Sequence, residues 1–415
     1  MITRDPSRSA TSRPDSGARA SAPSRTDGAD ISNALTVLLA AAAGLMAANV
    51  YYAQPLVGPI TASLGMAPWA AGLIVTATQL GYGAGLLLLV PLSDLVENRR
   101  LTLTSLGVLS LALVAAGSSA QPATFLGAAA MVGVGSTGVQ ILVLYAAHLS
   151  SDAERGRSVG NVMSGLMIGV MLARPAASLV AEAGSWRAVF YGSAAITAVL
   201  AVVLRLRLPP RRPLPGVGYL DLLASMGRLF RDTPVLRRRA FYQACLFCAV
   251  SLFWTTVPLL LADTFRFSQA GIACFALAGA AGAVTAPLAG RVADRGGSRP
   301  ATSLAIVAVG AALVLAQLGL SGPRLGLAAL VAAAILIDVG ATVSVVLGQR
   351  AIFSLGAEVR GRLNGLYIAI FFVGGAVGSA LGSWAYAVGG WSWTIGAGSA
   401  LPALALAFHL GEPRS

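Results

Sequence analysis

The chain has 415 residues, of which 56% are hydrophobic and 11% charged, and its formal net charge is +13. A soluble domain carries roughly 25% charged residues, so this composition excludes an ordinary water-soluble globular protein and points to a chain solvated mainly by lipid. Every basic residue is an arginine. Apart from Arg174 they sit in the tails and in short turns between apolar runs, which orients a membrane protein and does not form a nucleic-acid-binding surface.

Residues 1–33 are rich in Ser, Arg, Asp, Ala and Pro and contain no apolar run, which predicts a disordered cytoplasmic tail. No short apolar stretch ending in a small-residue cleavage site is present there, so the first hydrophobic segment is expected to be retained as a span. Residues 34–206 then hold six apolar segments, at 34–60, 68–92, 101–119, 122–148, 158–182 and 186–206. Residues 239–410 hold six more, at 239–263, 269–291, 300–320, 323–349, 360–386 and 391–410. Each is about the 17 to 25 residues that cross a bilayer, or longer if tilted. All are expected to be helices, because an open strand would leave backbone groups unpaired in lipid. The expected fold is therefore all-α, with two six-helix bundles.

Between the bundles, residues 207–238 form a basic linker with Pro209, Pro210, Pro213, Pro215 and Gly216, followed by an amphipathic stretch from Tyr219 to Phe230. Its apolar side is expected to lie in the membrane interface while its arginines face an anionic leaflet. Residues 411–415 form the second tail. Most loop arginines, from Arg99 and Arg100 through Arg360 and Arg362, collect on one side, whereas the other has only Arg187, Arg266 and Arg324. That bias places both tails in the cytoplasm.

The two halves repeat their charged turns about 200 residues apart, as expected of a two-lobed transporter. The turn Pro91-Leu92-Ser93-Asp94, with Arg99 and Arg100 following, is echoed by Pro287-Leu288-Ala289-Gly290-Arg291-Val292-Ala293-Asp294-Arg295. Glu154-Arg155-Gly156-Arg157 before Asn161 is likewise matched by Val359-Arg360-Gly361-Arg362 before Asn364.

A carboxylate near the middle of an apolar span costs about 2.5–3.5 kcal/mol or more unless it is paired, hydrated or protonated, so Asp338 marks a candidate pathway. It suits a cationic substrate group, a coupling proton, or a structural tie to neighbouring helices. Arg174 is the one arginine well inside an apolar run, and Pro175 after it frees a backbone carbonyl one turn earlier as a local acceptor and hinge. Gating, contact with an anionic group, and snorkelling toward the outer face are all open to it. Asn49, Tyr51, Tyr52 and Gln54 lie in the first span, and Gln140, Tyr145 and His148 in the fourth. Such amides either hold an amphipathic ligand or act as interhelical glue worth about 0.6 kcal/mol each. Cys245 and Cys248 have CxxC spacing but sit inside a span, where packing explains them better than a metal or redox site. No phosphate-binding Gly-Lys-Ser/Thr loop occurs, which excludes an ATP-driven pump; no catalytic residue, metal or cofactor is expected, and the chain is read as not an enzyme.

With two six-segment halves, a long middle loop and Gly290-Arg291-Val292-Ala293-Asp294-Arg295-Gly296, the chain resembles the major facilitator superfamily. Gly184-Ser185-Trp186-Arg187 and Asn364-Gly365-Leu366-Tyr367 are most similar to bacterial drug-efflux members of the drug:proton antiporter type. The first turn departs from the family loop, with Val90 and Asn98 near positions where glycine is expected. Arg174-Pro175 replaces the Gly-Pro of the antiporter helix, and Ala129 and Met131 stand near an arginine common in the fourth span. The resemblance implies that the first, fourth, seventh and tenth spans line a cavity, with Gln54, Gln140, Gln243, Trp254 and Asp338 as candidates. It also implies that Asp94 meets the amides of the helix starting near Arg360, and Asp294 those of the helix starting near Ser158. These turns then act as gates, or else serve only as topology signals in solvated loops.

The resulting expectation is a monomeric secondary transporter in a bacterial cytoplasmic membrane. It exports a small amphipathic compound by alternating access and is driven by protons. Uptake of a small metabolite, or a transporter-like sensor or lipid-translocating protein, would need the same architecture.

Overall fold

The computed structural model describes residues 32–412, apart from 152–153, 212–217, 281, 283–284, 286–290, 292–297 and 357–358. Among these residues every regular element is a helix. The first half comprises α1 (Asn33–Ala48), α2 (Val57–Leu64), α3 (Leu73–Leu88), α4 (Asn98–Ser118), α5 (Pro122–Ser136), α6 (Gly138–Leu149), α7 (Arg155–Ala183) and α8 (Trp186–Arg207). After α9 (Tyr219–Asp232), the second half comprises α10 (Pro234–Asp263), α11 (Gln269–Ala276), α12 (Ser298–Ala316), α13 (Pro323–Phe353) and α14 (Arg360–Leu410).

Nine helical stretches among the described residues are long and apolar enough to cross a bilayer. One of them, α14, has 51 residues, about 75 Å at the rise of a helix and more than twice the hydrocarbon thickness. It breaks at Gly390, whose φ of 67° lies in the left-handed region that glycine enters without a Cβ clash, so α14 supplies two spans. The first span is shared between α1 and α2. The eighth begins with α11 and runs into residues outside the described set.

The expected single helix over 34–60 is interrupted. Helical pairing gives way to successive tight turns, with the amides of Val50, Tyr51, Gln54 and Leu56 donating to carbonyls three residues back. Pro55 explains the break, since it lacks an N–H and disfavours helical geometry in the residue before it. Irregular backbone at membrane depth survives only where protein shields it, and Asn49 through Val57 are accordingly buried or half-buried.

Two apolar cores form, one mainly in each half, centred on residues such as Leu39, Leu106 and Tyr145 in the first and Leu246, Phe253 and Leu330 in the second. Outward-facing apolar side chains remain exposed, among them Leu111 at 73% and Leu304 at 70%, as lipid contact requires. The two halves meet along α7 and α11, where the Ala270 amide donates to Glu182 Oε2 at 3.1 Å, and along α3 against α10 and α14. Thr76 Oγ1 donates to Ala376 O at 2.8 Å, Gln79 Nε2 to Ser251 Oγ at 3.1 Å, and Ser379 Oγ to Gly72 O at 3.0 Å.

The amphipathic stretch of the linker is helical, with Asp221 in its first turn and Arg231 in its last, both favourable to the helix dipole. Its apolar side differs from the expectation of an interfacial face: Leu222 and Met226 are buried, and Met226 joins the first-half core. The helix touches both halves, since Tyr219 Oη donates to Leu88 O at 2.9 Å and Arg362 Nη1 donates to Ser225 Oγ at 2.9 Å.

Close approach of α1 and α7 depends on Gly44, Gly165 and Gly169, where a Cβ on Gly169 would overlap the backbone of Gly44. Gly169→Leu should therefore lower stability by about 1–3 kcal/mol. Gly192→Leu, where a Cβ meets nothing within 4 Å, should change it little; thermal melting of the two variants in one detergent is the comparison.

Candidate functional site

Four polar side chains from four separate segments converge inside the bundle. Arg174 in α7 is only 7% exposed. Its Nε donates to the Gln54 Oε1 at 2.7 Å, and its guanidinium lies over the Trp254 ring, 4.2 Å from the ring centroid. Tyr51 offers a second ring at 5.3 Å. Trp254, on α10, turns its Nε1–H to Asp338 Oδ1 on α13 at 2.9 Å. Arg174 and Asp338 are thus joined through one tryptophan, cation on its face and carboxylate at its polar edge, with no direct ion pair between them among the described residues.

Local sequence explains each position. The break before Pro55 frees Gln54 from a regular helix and lets its amide oxygen reach the guanidinium. Helix α7 continues through Pro175, and Arg174 takes its acceptor from the first span and not from the carbonyl that Pro175 frees on its own helix. Gly279 lets the eighth span pass close by: a Cβ there would stand 2.7 Å from Asp338 Oδ2 and 2.9 Å from Trp254 Cζ2. The energetic need is plain. A guanidinium out of water is costly unless hydrogen-bonded or stacked, and desolvated cation–π contacts recover about 2 kcal/mol.

Beside this group is a void about large enough for one water molecule, lined by Pro55, Arg174, Trp254, Val257, Ile272 and Phe275. Its surface is apolar, and Arg174 borders it through apolar atoms.

The other expected residues have distinct surroundings. Asn49 is buried, donating to Leu45 O and accepting from Ser193 Oγ on α8, both at 2.7 Å. Gln140 is half-buried beside the Tyr82 hydroxyl. Gln243 on α10 is fully buried, and neither its amide oxygen nor its amide nitrogen finds a partner.

In the charged turns, Asp94 is exposed and its charge acts on Arg211 of the linker. Burial lowers the Arg211 pKa and Asp94 opposes that shift. The amide of Asn98 also donates to Arg211 O at 3.1 Å. Arg99 donates to Arg205 O, Arg100 pairs with Glu97 at 2.9 Å, and Arg360 donates to Phe353 O at 3.2 Å. Asp294 and Arg295 lie outside the described residues.

Several contributors escaped the sequence reading. Tyr51 was visible as a polar exception but not as a cation–π partner. Gln79 and Ser251, which join the halves, were equally visible as polar residues in apolar runs. Arg187 donates to Ser63 Oγ and Ser119 O, each at 3.0 Å, and stacks on Trp186, so it fastens the arginine-poor end of the first half.

The Major Facilitator Superfamily model matches residues 39–347 and 240–415. The chain belongs to this superfamily. It is 37% identical over 364 residues to the uncharacterized transporter YgaY of Escherichia coli O157:H7, covering 86% of this chain and 90% of that protein. It is 34% identical over 353 residues to a probable transporter of Streptomyces coelicolor, covering 84% and 80%. Its fold is similar to the crystal structure of the nucleoside transporter NupG, with a TM-score of 0.73, 15% identity, and coverage of 91% and 99%. It is also similar to a D-xylose-proton symporter, with a TM-score of 0.71, 14% identity, and coverage of 91% and 97%. The superfamily protein is a multi-pass membrane transporter.

Trp254→Phe keeps a ring under Arg174 but removes the donor to Asp338. It should cost about 1.5–3 kcal/mol, the range for hydrogen bonds to charged groups. Thermal unfolding of Trp254→Phe against Trp384→Phe, a control at a residue 47% exposed, checks this.

Proposed function

We propose that this transporter exports a small amphipathic compound by alternating access and couples export to the proton gradient through Asp338. The observation that supports this most is the linkage of Arg174 to Asp338 through Trp254, because it joins charged groups of opposite sign from opposite halves at the depth where a transported solute must pass. When the halves rock, Arg174 moves with α7 and Asp338 with α13, so the cation and carboxylate cannot keep one separation in both states. A proton on Asp338 removes the negative charge that attracts Arg174 and lowers the cost of parting them. Proton arrival from one side and departure to the other would then bias the two states in opposite directions.

In this reading the arginine-rich face is cytoplasmic, the protein resides as a monomer in a bacterial inner membrane, and both tails lie inside. Gln54, Trp254 and the apolar wall give the amphipathic solute hydrogen-bonding and stacking surfaces. Gln243, with an unmet donor and acceptor, supplies a further polar point on the path, and Asn49 and Gln140 stiffen the helices that flank it. Asp94, with Arg99 and Arg100, acts in a gate at the cytoplasmic face against the α14 end carrying Arg360 and Arg362. Asp294 and Arg295, outside the described residues, are given the matching role in the other half on the repeat of the turn in sequence alone. The linker helix α9 reinforces this face by bonding to both halves.

In proteoliposomes, an imposed pH gradient should drive solute flux by the native chain. Asp338→Asn should remove the gradient-driven part while leaving solute exchange at equal pH; unchanged gradient-driven flux would exclude Asp338 as the proton site. Asp94→Ala should shift the balance toward a state open at the arginine-rich face. With Cys245, Cys248 and Cys274 replaced by serine, a cysteine placed at Asn161 or at Ser63 would report this as faster labelling of the first and slower labelling of the second, whereas equal rates would assign Asp94 to topology alone.

A further inference from the structure

Arg174 and Asp338 are not equivalent as places for a solute. Asp338 is already engaged at Oδ1 by Trp254, its Oδ2 faces the close approach at Gly279, and it is not part of the wall of the void. Arg174 lines the void, is 93% removed from solvent by its 7% exposure, and spends only its Nε on a hydrogen bond. A guanidinium has five N–H donors in a fixed planar fork, and among the described residues nothing accepts from Nη1 or Nη2. Gln54 and the two aromatic rings hold the group in place without neutralising it.

The geometry points to a small organic anion as the transported compound, its carboxylate taken by the free Nη1/Nη2 edge of Arg174 once the halves part and the one-water void beside Trp254, Ile272 and Phe275 widens to admit its apolar body. This rests on the transporter reading above and narrows it to a substrate class. A planar carboxylate is the group that a guanidinium fork binds through two parallel hydrogen bonds, and such pairs are shorter and roughly twice as strong as neutral ones. The apolar wall suits an aromatic or aliphatic body, and a desolvated slot strengthens the ionic contact. Asp338, one tryptophan away, opposes a second negative charge.

The test uses the purified full-length protein and three probes with one aromatic body: indole-3-acetate, indole-3-acetamide and tryptamine. Equilibrium binding should favour the acetate over the amide by about tenfold or more, a difference of about 1.4 kcal/mol. Arg174→Gln should erase that preference, and Arg174→Lys should keep only part of it, because an ammonium retains the charge but not the fork. Asp338→Asn should leave acetate binding intact or tighten it. If Arg174→Gln fails to give a cooperative melt, the lysine and asparagine variants carry the comparison. Tighter binding of tryptamine that is lost in Asp338→Asn would overturn the proposal in favour of cations at Asp338. Absence of any preference for acetate over amide would overturn it as well. Gradient-driven flux separates this failure from failure of the coupling reading. Flux dependent on Asp338 without anion preference refutes only the substrate class, and anion preference with flux indifferent to Asp338→Asn refutes only the proton site.

Discussion

A guanidinium buried in a bundle of alanine, leucine, valine and glycine is the constraint on which the central architecture depends. Arg174 cannot be left bare there, and the surrounding chain is arranged to receive it. The first span breaks so that Gln54 can accept from Nε, Tyr51 and Trp254 present ring faces, and α10 carries the tryptophan whose opposite edge meets Asp338. Each adjustment has a cost elsewhere, including loss of regular helix before Pro55 and close backbone approach at Gly279. The sum is a polar cluster in which a cation and a carboxylate stabilise one another at a distance, joined by a group that is apolar on its face and a donor at its edge. Direct contact would have made a tighter ion pair. It would also have left less for a solute or a proton to change.

The seam between the halves has a different chemistry. Thr76, Gln79, Ser251, Thr255 and Ser379 link α3, α10 and α14 by neutral hydrogen bonds, several of them to backbone carbonyls. Such bonds are worth little individually in a membrane and exchange readily for similar partners. The proposed rocking of the halves would need that quality, because the interface would have to reform in each state. Charged contacts along the same seam would trap one arrangement. The sole pair of opposite charges linking the halves at depth among the described residues is the one that Trp254 mediates.

What could be read from sequence follows from the range of the interactions. Span limits depend on runs of apolar residues and on local charges, so α3, α4, α8, α10 and α12 fall close to the segments drawn from composition, and the helix after the prolines of the linker begins at Tyr219 as its amphipathic pattern indicates. Asp338 and Arg174 stood out because one charge in an apolar run is anomalous without any knowledge of its neighbours. Their partnership was not legible. Gln54 and Arg174 are 120 residues apart and Trp254 and Asp338 are 84 apart, and no periodicity encodes such pairings. The break in the first span was half visible, since Pro55 announces a disturbance but not the direction in which Gln54 turns. The cover of α9 is illegible for a related reason: an amphipathic face states only that something apolar must cover it, and here protein covers Leu222 and Met226 while Leu220 and Phe230 stay exposed.

The unequal halves bear on how such a molecule acquires direction. If both halves had carried the same residues at the centre, exchange of the two would have left the site unchanged, and neither opening would have differed in affinity for a charged solute. Here the first half contributes the cation and the broken helix, while the second contributes the carboxylate, the tryptophan and the glycine that admits it. In the proposed rocking, the local potential would change with each stroke, because the groups of opposite sign belong to different halves. A solute bearing charge then binds one state better than the other, and a differential affinity of that kind is what a ligand needs in order to shift a conformational equilibrium. The charged turns repeat between the halves in sequence, whereas Arg174 and Asp338 have no match, so under the proposed mechanism it is this central pair that would make the two states unequal.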